Sequence, residues 1–229
     1  MSGRGSNNPT AGSAEPYWFE WKTGLLWLVE LLDEDSNIIA VAFQLQGTKG
    51  WDDVGIRLRD GRTRLLQMKH SRTGDHLTFG DLVNSDSENA PSLLRALTGA
   101  WKSERESRGN VECVLVTNRT SGSNWYQGRP PLAEFLQKAK TRVTRAASLA
   151  DVRWDREDHR YPRAWEILIA ELSDLSPPDK LAFLQSLNVE LNAPDLDALE
   201  SRIRERLGVL TGLPQSSVNG FTSIRILVP

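Results

Sequence analysis

A pair of acids and a Gln-x-Lys triplet are the residues of this sequence whose types and spacing suggest catalysis. Asp52-Asp53 precedes the apolar run 54–58, and Gln67-Met68-Lys69 closes the run that begins at 63. An Asp60-Gly61 pair separates the two runs, which predicts a β-hairpin. Both ends of a hairpin lie at one edge of a sheet, so a carboxylate, an amide and an ammonium group can converge there. We interpret that point as a metal-dependent nuclease site.

The register of the hairpin decides which aspartate shares a face with Gln67. Residues directly opposite each other on antiparallel strands face the same side. A two-residue loop would pair Val54 with Gln67 and would mix apolar and polar residues on both faces. A three-residue loop, 59–61 with its glycine left-handed, pairs Asp53 with Gln67 and leaves one clean apolar face. We therefore expect the second register and favour Asp53 over Asp52 as the functional acid.

The same residues also have a purely structural explanation. Asp-Gly turns are common, and Gln-x-Lys alone is a weak pattern, so an ordinary charged hairpin is the alternative. Trp51 either stacks on a base or closes the core, and we favour the core. Cys113 lies in a buried-strand run and is expected in the core. His76 and His159 have no companions at metal-ligand spacing.

Composition limits the classes of protein to consider. The chain has 229 residues, with 28 Lys plus Arg against 30 Asp plus Glu, which excludes a globally basic nucleic-acid binder. A single cysteine excludes a disulfide framework and fits a reducing cytoplasm. No apolar run approaches a membrane span, and the first 16 residues lack the apolar region of a signal peptide. We expect a cytoplasmic protein with a disordered leader over 1–16.

Positive charge is concentrated in and beside the hairpin. These basic residues are Arg57, Arg59, Arg62, Arg64, Lys69 and Arg72. Such a group is suited to a phosphate backbone, and a solvated strand face is the alternative explanation. His70 follows the triplet and is a further phosphate contact or simply an exposed histidine.

The coarse order of elements is helix, three strands, helix, strand. Helical spacing covers 17–32, a strand covers 37–46, and the hairpin follows. A short helix within 77–83 and a stronger helix over 93–108 precede a buried strand over 111–117. This strand–helix–strand order makes part of the sheet parallel.

The remaining chain is predicted to be helical. A long helix over 131–148 completes the core at about residue 150. Helices over 165–172, after Ser176 and over 195–207, the last ending at Gly208, form a small extension over 151–212 that packs on the core or makes a partner surface. Residues 213–229 are a tail or the start of a following module.

The order of motifs resembles the PD-(D/E)xK, or restriction-endonuclease-like, nucleases. In the Mrr-like branch, Phe-Glu starts a helix, an Asp opens the second strand and Gln-x-Lys closes the third. This chain has Phe19-Glu20, Asp53 and Gln67-Met68-Lys69 in that order. The segments Asp-Asp-Val (52–54) and Gln-x-Lys-His (67–70) are especially similar to those in the nuclease domain of bacterial antiphage effectors that are associated with CD-NTases or fused to STAND-type NTPases. The resemblance covers residues 17–150 and implies an α-β-β-β-α-β core with a mixed sheet.

The resemblance also implies roles for individual residues. Asp53 would be the principal ligand of Mg²⁺, with Mn²⁺ as a substitute, and Glu20 would complete the site, with Glu30 as the runner-up. The Gln67 side-chain carbonyl and the Met68 backbone carbonyl would add neutral oxygens. Lys69 would orient or help deprotonate the attacking water and stabilise transition-state charge. The expected contacts to double-stranded DNA are Arg57, Arg59, Arg64, His70 and Arg72.

The expected function is Mg²⁺-dependent DNA cleavage by the effector of a bacterial defence system. A fused or separate sensor module and homo-oligomerisation would control it. The rival is a catalytically inactive module of the same fold that binds nucleic acid or protein.

Overall fold

The structure is a computed structural model that describes residues 15–44, 51, 53–72, 75–85, 90–122, 128–155 and 157–212. It is an α/β fold in which helices cover both faces of a mixed sheet. The predicted α/β class is therefore confirmed. The predicted leader overlaps the first helix, because Glu15 and Pro16 are already helical. The other residues of the leader and the tail over 213–229 lie outside the described residues.

Seven helices and seven strands are found among the described residues. The helices are α1 (Glu15–Glu30), α2 (Phe79–Val83), α3 (Leu93–Arg108), α4 (Leu132–Arg145), α5 (Arg160–Glu171), α6 (Pro177–Ser186) and α7 (Leu196–Thr211). The strands are β1 (Ile38–Phe43), β2 (Val54–Leu58), β3 (Thr63–Lys69), β4 (His76–Leu77), β5 (Val111–Thr117), β6 (Thr120–Ser121) and β7 (Leu187–Glu190). The bounds predicted for α3 and β5 are confirmed.

The main sheet has the strand order β1-β2-β3-β5-β7. The first three strands pair antiparallel, while β5 and β7 run parallel to β3. The hairpin register is the one expected, since Val54 pairs with Leu66 and Arg57 with Thr63. Gly61 has φ +84°, which is the left-handed conformation that the three-residue loop requires.

Alternation along the central strands divides the core into two layers. Leu65 and Cys113 point into the larger layer, which α2 to α6 cover, and Leu66 and Val114 point into the smaller layer with α1 and α7. Trp51 is fully buried in the larger layer, and its Nε1 donates to Leu97 O at 2.7 Å, so the structural reading of this residue is confirmed. Burial also raises the pKa of the Cys113 thiol, which fits a core residue.

Residues beyond 150 contribute to the same core and to the same sheet. Trp154 is buried and stacks at 5.7 Å from Phe135 of α4. The helix that Ser176 caps ends at Ser186, and Leu187 directly opens β7, which pairs with β5. The prediction missed this strand, because four residues directly after a helix are too short to show alternation. Residues of 151–212 therefore pack on the core, which is one of the two placements predicted for them.

The last helix ends later than expected. Gly208 lies inside α7, which continues to Thr211 and is capped by Gly212 at φ +67°. An isolated glycine lowers helix propensity without ending the helix, and only the second glycine adopts the left-handed cap conformation. Side chains on α7 then reach α1, where Lys22 Nζ lies 2.7 Å from Glu200 Oε2.

Candidate active site

The carboxylate of Asp53 and the end of β3 form a direct contact. Gln67 Nε2 donates to Asp53 Oδ2 at 2.6 Å, and Met68 N–H donates to the same oxygen at 2.5 Å. The backbone of Asp53 is held as well, because its carbonyl accepts from Gln44 N–H at 2.9 Å. The acid and the amide that the sequence places on opposite strands therefore lie within hydrogen-bond distance.

The Asp53 carboxylate accepts the hydrogen bond from Met68 N–H that a backbone carbonyl of a longer β2 strand would otherwise accept. Leu58 N–H donates to Arg62 O, so the hydrogen-bonding pairs of the hairpin fall on alternate residues, and Met68 is in phase with Arg62. The N–H and C=O of one strand residue point toward the same neighbouring strand. The Met68 carbonyl thus faces the side from which Asp53 approaches, as required of an oxygen ligand beside it.

Lys69 ends β3 on the face of Gln67. Residues two apart on a strand share a face, so the ammonium group lies on the same side of the sheet as the Asp53 carboxylate. Lys69 is exposed, whereas Gln67 is only 7% exposed. The open end of the hairpin therefore carries a buried amide, a half-buried acid and a cation that solvent can reach.

The first half of α1 runs beside this end of the sheet. Glu15 forms an ion pair with Arg72 at 2.8 Å, and the Phe19 ring packs 5.1 Å from the ring of His70. Glu20 follows Phe19 and so belongs to the turn of α1 that lies next to the end of β3. Glu30 belongs to the far end of the same helix, where Arg206 binds its carboxylate at 2.9 Å. Glu20 therefore lies nearer than Glu30 to the hairpin end, although α1 packs on the Leu66 and Met68 face of the sheet, opposite the face of Gln67 and Lys69.

His70 is half-buried, which corrects the expectation of an exposed histidine. Its Nδ1 is buried and has no hydrogen-bond partner among the described residues. Burial lowers the pKa of His70, and the nearby Arg72 lowers it further while Glu15 opposes the change. The aromatic contact with Phe19 explains the burial, and this contact could not be read from the local sequence.

The basic residues expected to bind DNA are divided between the two ends of the hairpin. Arg57, Arg59 and Arg64 lie at the turn end, while His70 and Arg72 lie at the open end. At about 3.3 Å per residue, Arg64 and Lys69 are roughly 17 Å apart along β3. The positive charge is therefore spread along the hairpin, because neighbours in sequence become separated along an extended strand.

Several of these arginines already bind groups within the chain. Arg59 donates to the carbonyls of Ser36 and Glu34 at 3.0 and 3.3 Å. Arg64 pairs with Glu112 at 3.0 Å and lies over the ring of Trp27. Arg57 is exposed on β2. A DNA backbone would thus have to compete with existing partners for most of the turn-end charge.

A polar clamp beside the triplet escaped the sequence analysis. Asn118 Oδ1 accepts from Ser71 N–H at 2.8 Å, and Asn118 Nδ2 donates to Ser71 O at 2.7 Å. This reciprocal pair ties the chain that leaves β3 to the chain that leaves β5. Parallel strands end at the same edge of a sheet. The polar residue directly after the buried strand β5 could therefore have predicted a contact with the residues that follow β3.

The donor set fits a hard divalent cation with few protein ligands. Asp53 and the Met68 carbonyl offer oxygens on one side, which suits Mg²⁺ with several retained waters. For Gln67 to add its Oε1, its amide must turn over, since Nε2 now faces Asp53. Among the described residues, no group of three or more His, Cys, Asp or Glu could hold a metal ion. Asp52 lies outside the described residues.

Comparisons with known proteins place the chain near one set of solved structures. The Acinetobacter baumannii Cap4 SAVED/CARF-domain containing receptor, solved with the cyclic trinucleotide 2′3′3′-cAAA, gives a TM-score of 0.46 at 10% identity. The alignment covers 95% of this chain and 39% of that one. The Moraxella osloensis Cap4 receptor gives 0.43 at 14% identity, over 92% of this chain and 41% of that one.

This chain thus spans about two fifths of the length of those receptors. No family model matches the sequence, and no curated protein matches it. Likeness at this level assigns neither family nor activity. Within the described residues, no helix is both long and apolar enough to cross a bilayer.

Proposed function

We propose that this chain is a Mg²⁺-dependent endonuclease domain that hydrolyses DNA, built on a restriction-endonuclease-like core. The observation that carries the proposal is the contact between the Asp53 carboxylate, the Gln67 amide and the Met68 N–H. Lys69 shares that face at the open end of the hairpin. These are the residue types, in the chain order, that the resemblance to the Mrr-like nucleases implies.

The residues have separate roles in this proposal. Asp53 and the Met68 carbonyl would hold the cation, Gln67 would complete the set with its side-chain oxygen, and Glu20 would join directly or through water. A bound Mg²⁺ would neutralise charge on the scissile phosphate and lower the pKa of a water. Lys69 would orient that water by donating to it and, as a cation, would stabilise the negative charge that develops on the phosphate.

A plasmid-cleavage assay with the full chain tests the proposal. We expect nicking or linearisation with Mg²⁺ or Mn²⁺ and none with EDTA. Lys69→Ala should lower the rate by roughly a hundredfold or more, because a positioned proton-transfer or charge-stabilising group contributes about that much. Lys102→Ala removes another exposed lysine, from α3, and should leave the rate unchanged.

Two outcomes would contradict the mechanism. Cleavage that persists in EDTA would exclude the metal, and an unchanged rate in Lys69→Ala would exclude the role of the lysine. Circular dichroism of both variants confirms that the fold is kept, as expected for exposed side chains.

We further propose that the nuclease is the effector of a bacterial antiphage system under the control of a fused or separate sensor module. The support is the similarity of the Asp53 and Gln67-x-Lys69 motifs to those effectors. Cells that express the chain with its sensor should resist phage, and cells that carry Lys69→Ala should lose that resistance. Equal protection by both would separate defence from cleavage.

The second candidate is a binding module of the same fold that does not cut. Two observations favour it: the Asp53 carboxylate is already occupied by two donors, and the described residues contain no acidic or histidine cluster for a metal. The Acinetobacter baumannii Cap4 receptor was solved with a cyclic trinucleotide, and a nucleotide is one ligand such a module could take. Isothermal titration with Mg²⁺ distinguishes the two, because the binding module should give no heat that depends on Asp53.

A further inference from the structure

A groove of about 550 Å³ lies beside β7, the edge strand of the main sheet, with α4 and α5 as its other walls. Ligand pockets in proteins typically have volumes of roughly 300–1,000 Å³. Strand β5 separates β7 from β3, so the groove is distinct from the candidate active site. Its apolar wall, as we name it, consists of Leu136, Val143, Trp165, Leu168, Val189 and Leu191.

The apolar wall is incompletely covered in the part of the chain that the structure describes. Four of its side chains pack against the larger core layer but are only partly buried: Leu136, Trp165, Val189 and Leu191. Glu190 lies between two of them, and alternation along β7 sends its exposed carboxylate to the other face of the strand. The groove therefore offers apolar surface without a carboxylate from this strand pointing into it.

Lys140 places a half-buried cation at one end of the groove. Its Nζ donates to Gln185 O at 2.6 Å and to Leu187 O at 2.8 Å. An ammonium group has three N–H donors, so one is left for a further acceptor. Burial lowers the pKa of Lys140, and the more distant Glu112 opposes this change. Among the described residues no carboxylate forms an ion pair with Lys140, so its charge is not neutralised locally.

The cation and the apolar wall follow one another along the groove. Helix α4 runs opposite to β7 here, since Lys140 meets Leu187 at the start of the strand, while Ala133 and Asn192 line the other end. From Lys140 to Ala133 the helix rises by roughly 10 Å, at about 1.5 Å per residue. This length fits an extended chain with a charged group at one end better than a compact anion.

We propose that the groove binds a medium-chain fatty acid, with its carboxylate on Lys140 and its chain along the apolar wall towards Ala133. Charge complementarity selects an anionic head group, because a partly desolvated cation without a counter-charge gains most from a charged acceptor. The apolar wall selects a hydrocarbon chain, since binding removes that surface from water. This inference is independent of the proposed nuclease activity.

Isothermal titration of the full chain with decanoate and with decanol, both below the concentrations at which they aggregate, tests the proposal. The two probes share a chain length and differ in charge. We expect decanoate to bind at least about tenfold more tightly, because only its carboxylate forms a charge-assisted hydrogen bond with Lys140. No binding of decanoate, or equal affinity for the two probes, would overturn the proposal.

Two variants test the two parts of the site separately. Lys140→Met keeps the apolar stem of the side chain and should abolish the preference for decanoate, whereas Lys102→Met removes an exposed lysine from α3 and should leave it unchanged. Val189→Trp keeps Lys140 but fills the groove, so it should weaken both probes by roughly tenfold or more. Unchanged affinity for decanoate in either Lys140→Met or Val189→Trp would show that the ligand does not occupy this groove.

Discussion

The Asp53 side chain has a structural role in the hairpin and a proposed role as a metal ligand. Its carboxylate accepts the Met68 N–H, as the next backbone carbonyl of a longer strand would, and it also receives the Gln67 amide. Binding a cation at this oxygen would replace those two hydrogen bonds. The acid therefore stabilises the hairpin end in the metal-free protein and would be the first metal ligand in the proposed enzyme.

Asp53→Asn is expected to separate the structural role of Asp53 from its proposed role in metal binding. The asparagine oxygen can still accept from Met68, so the free energy of unfolding should change by no more than about 1–2 kcal/mol. Plasmid cleavage should fall by at least about a hundredfold, because the anionic ligand is lost. Asp52→Asn is the matched control and should keep much of the activity. Full activity in Asp53→Asn, with loss in Asp52→Asn, would show that the wrong aspartate was chosen.

His70 should make stability depend on pH. Burial lowers the pKa of His70 in the folded chain below its ordinary value of 6.5, so the unfolded chain binds more protons just below that pH. The free energy of unfolding should fall as pH falls through 6.5 and should level off below the folded-state pKa. Urea titrations from pH 8 to pH 5 should show a flatter dependence in His70→Gln.

His159→Gln is the control for the pH series, because the His159 side chain is 87% exposed. The His159→Gln variant should keep the pH dependence that the buried His70 produces. If His70→Gln also matches the wild type, burial of the imidazole does not govern the pH response.

At the scale of elements, the hairpin could be predicted because its loop chemistry and its apolar pattern agree. Gly61 in the left-handed conformation and an apolar face through Val54 and Leu66 admit one register. That register was enough to place Asp53 opposite Gln67. The position of Glu20 could not be predicted from the local sequence, because it depends on how α1 packs against the end of β3. Only the resemblance to the Mrr-like nucleases suggested that it belongs to the site.

Gly61→Ala is expected to destabilise the protein by about 1 kcal/mol. A Cβ would meet no atom within 4 Å, so the penalty comes from φ +84° alone. Gly99→Ala is the matched control, since its Cβ would also meet nothing within 4 Å and Gly99 lies within the helix α3. The control should stabilise by about 0.5–1 kcal/mol. Chemical denaturation measures both, and equal shifts would show that loop conformation does not set the register.

In the whole molecule, residues before and after position 150 share one core, although the sequence suggests a boundary there. The change in character after Ala150 suggested an extension, but Trp154 and Leu187 belong to the larger core layer, together with residues of α3 and α4. The many charged residues of this part of the chain make its contribution to the core hard to recognise from the sequence. Arg142 lies 4.3 Å above the Trp154 ring and Lys138 binds Glu157 at 2.6 Å, so charges that look like a solvated surface in fact line the contact.

A chain cut after Ala150 should therefore not fold cooperatively. It would lose β7 and expose Trp101, which packs against Phe183 at 5.4 Å. We expect a broad urea transition and binding of a hydrophobic dye. A chain cut after Gly212 keeps the described contacts and is the control. A sharp transition in the shorter chain would show that residues up to 150 form an independent domain.

The acid at the hairpin end has a consequence for comparing related sequences. Since Asp53 supports the strand pairing whether or not a cation binds, a descendant that has lost the ability to cut would still gain stability by keeping it. Lys69 is exposed at the strand terminus and, within the part of the chain that the structure describes, has no comparable structural role. A lysine retained at that position is therefore a better marker of an active nuclease than the aspartate.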